Sequence, residues 1–374
     1  MRVLIVGAGF AGAVHARELA VAGHDVVVID QRPHIAGNAY DYVDANGLRI
    51  HRYGPHIFHT KNRVVLDWLR GFGTLVPYTH RVRARLPSGT LAPLPINLDT
   101  INLVFGTDYA TRHEVENHLR RIVLPIQTPR NAAEQLYSTI GCELADLFFR
   151  PYTRKMWALD LEDLAPSVVG RIPLRFDRTD TYFADGEIQL LPKDGYTAIV
   201  AQILNHPRIR VVLGVPFEKR MLSEYGHCFN SMSIDAYFGY SEGVLSYRSI
   251  RFQARTEPKS LPSAWSVINF TDGSPLTRET HWQNFPHHSF ADTGRSTVTA
   301  EEPCDFGEND MERYYPVRTA DARYQILYRR YKDLAEQTKA RMTFIGRCGT
   351  YQYMDMDQVI NQSLASARRH LRTF

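Results

Sequence analysis

The hydrophobic pattern is clearest in a short β-branched run, Arg2 to Val6, that shows no polar face, as a strand covered on both sides would. Gly-Ala-Gly-Phe-Ala-Gly follows at positions 7–12, then a helical pattern from Ala13 to Ala22 that Gly23 ends. A second apolar run, Val26 to Ile29, stops at Asp30. Strand, glycine turn, helix and strand in so short a span predict the opening of a Rossmann-like α/β fold. Between about 80 and 187 the texture changes. Pro87, Pro93 and Pro95 break it first, and amphipathic segments at 109–122 and 131–149 predict a mainly helical insertion. Segments 182–191 and 211–300 mix aromatic and β-branched residues with Gly, Pro, Asp and Ser, which predicts antiparallel strands joined by turns. Ala320 to Lys339 predicts a helix, Met342 to Ile345 a last strand and Met356 to Leu371 a final helix. No internal repeat or low-complexity tract interrupts this order.

At 374 residues the chain is long enough for two or three domains. Its 44% hydrophobic and 22% charged residues exclude collagen-like, coiled-coil and largely disordered folds. Lysines and arginines number 44 against 40 acidic residues, and this small excess argues against a general nucleic-acid or anionic-membrane surface. An anionic ligand would have to meet a local basic cluster. Cys142, Cys228, Cys304 and Cys348 form neither a CxxC pair nor a zinc spacing, and they read as free thiols of a reducing compartment. No apolar run approaches the roughly 20 residues of a membrane span. The apolar N-terminus reads as a strand rather than a signal peptide, so a cytoplasmic protein with neither membrane nor nucleic acid as partner is expected.

Gly7-x-Gly9-x-x-Gly12 fits a dinucleotide site for three physical reasons. The first glycine permits the tight turn, the second lets a pyrophosphate approach backbone, and the third lets the helix pack on the strand. The helix then presents its positive end to the phosphates. Asp30, 18 residues past Gly12, is placed to accept from a ribose diol. Its charge would repel a 2′-phosphate, which favours FAD or NAD over NADP. Spacing alone does not separate flavin from nicotinamide. His56 and His59 follow a Gly54-Pro55 turn and read as structural histidines rather than metal ligands, since no acidic third ligand stands nearby. The group His281, His287 and His288 likewise predicts no metal site. Arg171 and Arg175 flank a proline in Arg-x-Pro-x-Arg. Rim arginines are ordinarily solvated, but two guanidinium forks beside aromatics also suit a nucleotide diphosphate. Asp355 and Asp357 read as N-caps of the final helix.

The segments Gln31-Arg32-Pro33-His34-Ile35-Ala36-Gly37-Asn38-Ala39-Tyr40 and Tyr53-Gly54-Pro55-His56-Ile57-Phe58-His59-Thr60 resemble the flavin domain of the UDP-galactopyranose mutase family. Ordered matches continue through Pro151-Tyr152-Thr153-Arg154-Lys155-Met156-Trp157, Arg171-Ile172-Pro173-Leu174-Arg175-Phe176, Tyr182-Phe183-Ala184-Asp185, Val267-Ile268-Asn269-Phe270-Thr271-Asp272, Tyr314-Tyr315-Pro316-Val317, Gly346-Arg347 and Tyr353-Met354-Asp355-Met356-Asp357-Gln358. The resemblance implies a Rossmann-like FAD-binding domain with a helical insertion and an antiparallel β-sheet domain. Its FAD-binding parts would be 1–79, 188–220 and 315–374. A helical insertion with a lid or dimer role would span 80–150, the substrate-site lid and start of the sheet domain 151–187, and the antiparallel sheet 221–314. A mobile lid is implied over about 158–180.

For the cofactor, the resemblance implies FAD contacts from Gly7, Gly9, Ala11, Gly12, Asp30, Gln31, Gly37, Asn38, His56, His59, Val215, Arg347, Met354, Asp355 and Met356. The last helix would aim its N-terminus at the pyrimidine end of a reduced ring. For the substrate it implies uracil stacked on Tyr152, with Phe148, Phe149, Thr153 and Trp157 around the uridine. Tyr182, Tyr315 and Tyr353 would bond the diphosphate, Phe183 and Asn269 would lie near nucleotide or sugar, and Arg175 and Arg278 would hold the pyrophosphate. The implied reaction interchanges the pyranose and furanose rings of UDP-galactose without net oxidation, through a bond from reduced-flavin N5 to the sugar. Arg175, Arg278 and His59 form the implied catalytic set, with NADH or NADPH as reductant, a homodimer as assembly and cell-surface glycan synthesis as destination. Ala36 stands where the family commonly has a glycine, which narrows backbone freedom beside the cofactor. Departures there, at Pro55 and at Lys193-Asp194-Gly195 leave open a mutase for UDP-N-acetylgalactosamine or a dTDP-6-deoxysugar. The glycine turn is also compatible with an amine-oxidase-type flavin oxidoreductase, or with a sugar-nucleotide binder that holds flavin structurally.

Overall fold

A computed structural model describes residues 1–170, 173–259, 265–338 and 341–373. Strand β1 (Arg2–Val6), helix α1 (Phe10–Val21) and strand β2 (Asp25–Asp30) form where the pattern places them. They belong to a five-stranded parallel sheet in the order Ile209–Leu213, β2, β1, His227–Asn230, Met342–Phe344. Helix α1 lies against this sheet because its small residues allow it. A Cβ on Gly12 would meet the Gly7 carbonyl oxygen at 1.9 Å and the Ile5 side chain at 3.0 Å. The final helix Met356–Thr373 and the helix Tyr196–Leu204 pack on α1 and close this core.

The stretch 211–300, expected as antiparallel throughout, divides between two sheets. Ile209–Leu213 pairs parallel with β2, and His227–Asn230 pairs parallel with β1. The boundary expected at 221 therefore assigns a strand of the parallel sheet to the other body. His227–Asn230 is buried at every position, and a strand covered on both faces loses the alternation that marks an antiparallel one.

The second sheet has seven strands, ordered Tyr315–Pro316, Tyr247–Pro258, Arg295–Asp305, Arg278–His281, Val267–Phe270, Val82–Arg85, Leu91–Leu94. Its pairings are antiparallel except that Val267–Phe270 runs parallel to Val82–Arg85. The segment expected as a helical insertion from residue 80 thus begins with two strands of this sheet. Helices follow at Leu98–Phe105, Arg112–Ile122 and Ala132–Tyr137. The helix expected over 131–149 breaks after Tyr137, restarts at Gly141, whose φ of +81° is left-handed, and runs through Gly141–Leu144 and a π turn, Ala145–Phe149, into Arg150–Trp157. Such a wide turn rotates the side chains that follow it, and it often stands at functional sites. A three-stranded sheet, Phe58–Thr60, Ile188–Pro192, Leu75–Pro77, bridges the two bodies. Among the described residues no helix is long and apolar enough to cross a membrane.

Candidate active site

A cleft of about 490 Å³ opens between the two bodies at the carboxyl ends of β1 and β2. Its floor is the glycine turn. Gly7 has a φ of +102°, and a Cβ there would collide with Ser231 Oγ at 2.0 Å. A Cβ on Gly37 would stand 3.0 Å from the Gly9 Cα, so two backbone segments meet where only glycines fit. No side chain caps the first turn of α1, which leaves its N–H groups free to donate to an anion. Ala36 adopts a left-handed φ of +69°, so the alanine expected to restrict this loop takes a glycine's conformation at some cost in strain.

The Asp30 carboxylate accepts from the Ala8 N–H at 2.8 Å and from the Arg32 N–H at 2.9 Å. Those two bonds orient it and leave further lone pairs for a ligand hydroxyl. Gln31, Asn38, His56, Val215, Arg347, Met354 and Met356 also line the cleft, as do Gly9 and Ala11. Gly12 lies behind the turn. Arg32 closes the outer edge: it pairs with Glu312 from the seven-stranded body and donates to Asn38 Oδ1 at 2.9 Å. The glycine cradle, the uncapped helix end and the oriented carboxylate are what the pyrophosphate and ribose of a dinucleotide require.

The expected flavin-facing residues divide in two. His56 lines the cleft, donates from Nδ1 to the Gly54 carbonyl at 2.8 Å and is pushed by burial to a pKa of about 4, so its ring is neutral. His59 and Asp355 stand beside it. His59 stacks on Phe183 at 3.8 Å, bonds Glu187 through Nδ1 at 2.6 Å and lies 4.0 Å from Asp355. The Asp355 carbonyl accepts from Val359, which makes Asp355 the helix N-cap. Asp357, the other expected cap, sits inside the helix and accepts from the Thr60 hydroxyl at 2.8 Å.

Arg347 joins this cleft to a cluster of aromatic and charged side chains around Arg278. Its Nε donates to the Met354 carbonyl at 2.9 Å, and its guanidinium lies under the rings of Tyr353 and Tyr315, which stack on each other at 5.4 Å. Trp157 meets Tyr315 edge-on at 6.2 Å. Arg278 faces Tyr152 Oη at 3.4 Å, Asn269 Oδ1 at 3.3 Å and Glu301 at 3.7 Å. Burial works against its charge, but Glu301 and the surrounding tyrosines hold its pKa well above the ordinary value. Burial also raises Glu301, against the pull of Arg278. Thr153 is buried beside Tyr152, while Phe148 and Phe149 pack into or against the core under the helical insertion.

The two arginines expected on one diphosphate have different partners here. Arg175 is buried and donates to Asp185 at 2.6 Å and to the Phe183 carbonyl at 2.6 Å. Asp185, ten residues further on, is the nearer anion for it. Arg171 lies outside the described residues. Tyr182 contacts Phe183 and His80 and is among the tyrosines that act on the Arg278 charge. His281, His287 and His288 gather no metal site among the described residues. Glu187, Glu301, Glu312 and Lys155 carry no signal in the sequence, because the role of a lone acidic or basic residue depends on a distant partner that neither periodicity nor spacing marks.

Residues 147–353 match the UDP-galactopyranose mutase family, and residues 5–72 match an NAD(P)-binding Rossmann-like domain. A probable UDP-galactopyranose mutase of Klebsiella pneumoniae is 36% identical over 99% of this chain and 94% of its own length. A dTDP-fucopyranose mutase of Escherichia coli is 34% identical over 99% and 98%. The crystal structure of a reduced UDP-galactopyranose mutase superposes with a TM-score of 0.76 at 15% identity, over 100% of this chain and 94% of that one, and shares the fold. On these matches the chain is an enzyme of the isomerase class and belongs to the flavin-dependent UDP-galactopyranose mutase family.

Proposed function

We propose that this chain binds FAD in the cleft and, with the flavin reduced, interconverts UDP-galactopyranose and UDP-galactofuranose. The observation that carries this reading is Arg347, which lines the cofactor cleft and at the same time underlies the Tyr315–Tyr353 stack beside the Arg278 cluster. A nucleotide held on Arg278 and the tyrosines would present its sugar toward the cofactor. Bound and reduced, FAD would supply N5 as a nucleophile toward the anomeric carbon while UDP departs.

The chain's own residues do the rest. Arg278, kept charged by Glu301 and braced by Asn269, stabilises the negative charge that grows on the departing diphosphate. Tyr315 and Tyr353 donate hydroxyls to the same oxygens, and Tyr152, Thr153 and Trp157 hold the uridine. Arg175 joins the diphosphate by exchanging Asp185 for phosphate oxygens. His59, oriented by Glu187 and stacked on Phe183, holds the sugar end, while His56 presents a neutral acceptor to the flavin. The last helix, capped at Asp355, turns its positive end toward the ring. NADH or NADPH serves as reductant, two copies form a dimer, and the four free thiols fit a cytoplasmic enzyme that supplies galactofuranose for cell-surface glycans.

A second reading, a mutase for a dTDP-6-deoxysugar, is favoured by the nearly equal identity to the E. coli dTDP-fucopyranose mutase. Dithionite-reduced holoprotein incubated with UDP-galactofuranose, and separately with dTDP-fucofuranose, decides between them by chromatography of the pyranose formed. Turnover of the dTDP sugar alone overturns the donor. Steady oxygen or reductant consumption with no ring isomer overturns the class.

A further inference from the structure

Resting on the reading that His56 faces the flavin, we propose that His51 and His288 are a positioning pair that fixes His56 through a directional hydrogen-bond relay. His51 ends the strand Arg49–His51, and His288 lies 237 residues away, after the hairpin that carries Arg278; both rings are buried. The His56 backbone N–H donates to His51 Nδ1 at 3.0 Å. That bond makes His51 Nδ1 an acceptor and puts the His51 proton on Nε2. His51 Nε2 stands 3.1 Å from His288 Nε2, which must therefore accept. His288 then carries its proton on Nδ1, and it donates that proton to the Pro286 carbonyl at 2.9 Å. Only one pair of neutral tautomers satisfies all three contacts.

The relay reaches the active site because His56 has little freedom left. Its carbonyl accepts from Tyr196 Oη at 3.1 Å, and its Nδ1 is taken by the Gly54 carbonyl. Nε2 remains as the ring's acceptor toward the cleft. The outer end of the relay is rigid as well. Trp282 is buried parallel to the His288 ring at 6.4 Å, Phe285 lies 5.2 Å away, and the His288 carbonyl accepts from the Arg49 N–H at 2.7 Å. A proton added to either His51 or His288 would set two donors face to face and break the chain. Burial together with Arg49 and the neighbouring histidines pushes both rings toward neutrality, although the Pro286 carbonyl and then Asp41 pull the other way on His288.

The test uses the FAD-loaded protein. In long-range proton–nitrogen spectra of histidine-labelled wild type, His51 is expected as the Nε2–H tautomer and His288 as the Nδ1–H tautomer. A proton on His51 Nδ1 overturns the relay, whatever sugar the enzyme acts on. His288→Leu removes the acceptor, and kcat is expected to fall about tenfold with KM nearly unchanged, since His288 lies away from the nucleotide pocket. The visible absorption band of bound FAD should shift with it. His288→Gln keeps an acceptor oxygen for His51 and a donor for Pro286, and should restore both kcat and the band. Equal loss in the Leu and Gln variants, or an unshifted band with wild-type kcat, overturns the proposal. If His288→Leu does not fold, the tautomer measurement decides alone. Wild type that binds no FAD defeats the functional reading and leaves the tautomer result standing.

Discussion

Arg278 holds its charge at a partly exposed position beside a buried counter-ion, and that fixes what its removal should do. On the proposed function, Arg278→Ala takes away the donor aimed at the leaving diphosphate, a loss on the order of 3 kcal/mol and hence about a hundredfold or more in kcat. Glu301 would then stand alone. Burial already raises its pKa, so it can take up a proton rather than remain an unpaired charge. The variant should therefore fold and keep its yellow colour, read as flavin absorbance per protein after gel filtration. Loss of flavin would move Arg278 from substrate to cofactor. Single residues were legible in the sequence where geometry demands one residue type, as at Gly7, Gly12 and Asp30. They were not where chemistry depends on a distant partner, as in the contacts of Glu301, Glu312 and His288. Resemblance picked out Arg278 itself, and nothing in the spacing around it predicts Glu301 as its neighbour.

Elements carry the next level of specificity, and Lys155 shows how. From the helix Arg150–Trp157 its ammonium donates to the carbonyls of Phe270, Asp272 and Leu276 at 2.9, 3.0 and 2.8 Å. Three donors are thus spent on the turn joining the strands that hold Asn269 and Arg278. The helix that carries Tyr152 and Trp157 is clamped to the hairpin that carries Arg278. Lys155→Met keeps the stem and removes the donors. It should cost about 2 kcal/mol of stability and raise the KM for the nucleotide sugar severalfold, checked by denaturant unfolding and steady-state kinetics. An unchanged KM would reduce Lys155 to a purely structural clamp. Helix and strand positions were largely readable, since Arg2–Val6 and Arg112–Ile122 form where their periodicity puts them. Pairing partners were not. Val82–Arg85 reads as part of a helical segment, yet its neighbour is Val267–Phe270, nearly 200 residues on, and only tertiary contact selects it.

At the scale of the whole molecule, the two bodies meet over the cofactor cleft, and the closure of that cleft and the response of the fold to acid are both set here. The first rests on the Arg32–Glu312 pair, which spans the outer edge of the cleft with both side chains partly exposed. A pair of that kind is worth about 1 kcal/mol, so Glu312→Gln should speed FAD release about fivefold, followed by the rise in flavin fluorescence after dilution. An unaltered release rate would show that FAD leaves by another edge. The second concerns acid. His15 in α1 is fully buried, and burial lowers its pKa from 6.5 to about 4, with His370 adding a repulsive push. His56 and His288 are depressed to about 4 and His80 to about 3 by the same desolvation. A histidine depressed in the folded state binds its proton more readily when unfolded, so stability rises with pH between the two values. This contribution is complete above about pH 6.5 and drains away as pH falls toward 4. For His15 alone, a fall from 6.5 to about 4 at about 1.4 kcal/mol per pH unit amounts to about 3 kcal/mol. His15→Phe replaces the ring with one that cannot be charged. Its melting temperature should fall less than that of wild type between pH 6.5 and pH 4.5, measured by calorimetry in matched buffers. Parallel pH dependence in the two proteins would mean that His15 binds its proton equally well folded and unfolded, so that burial against Phe229 does not depress it.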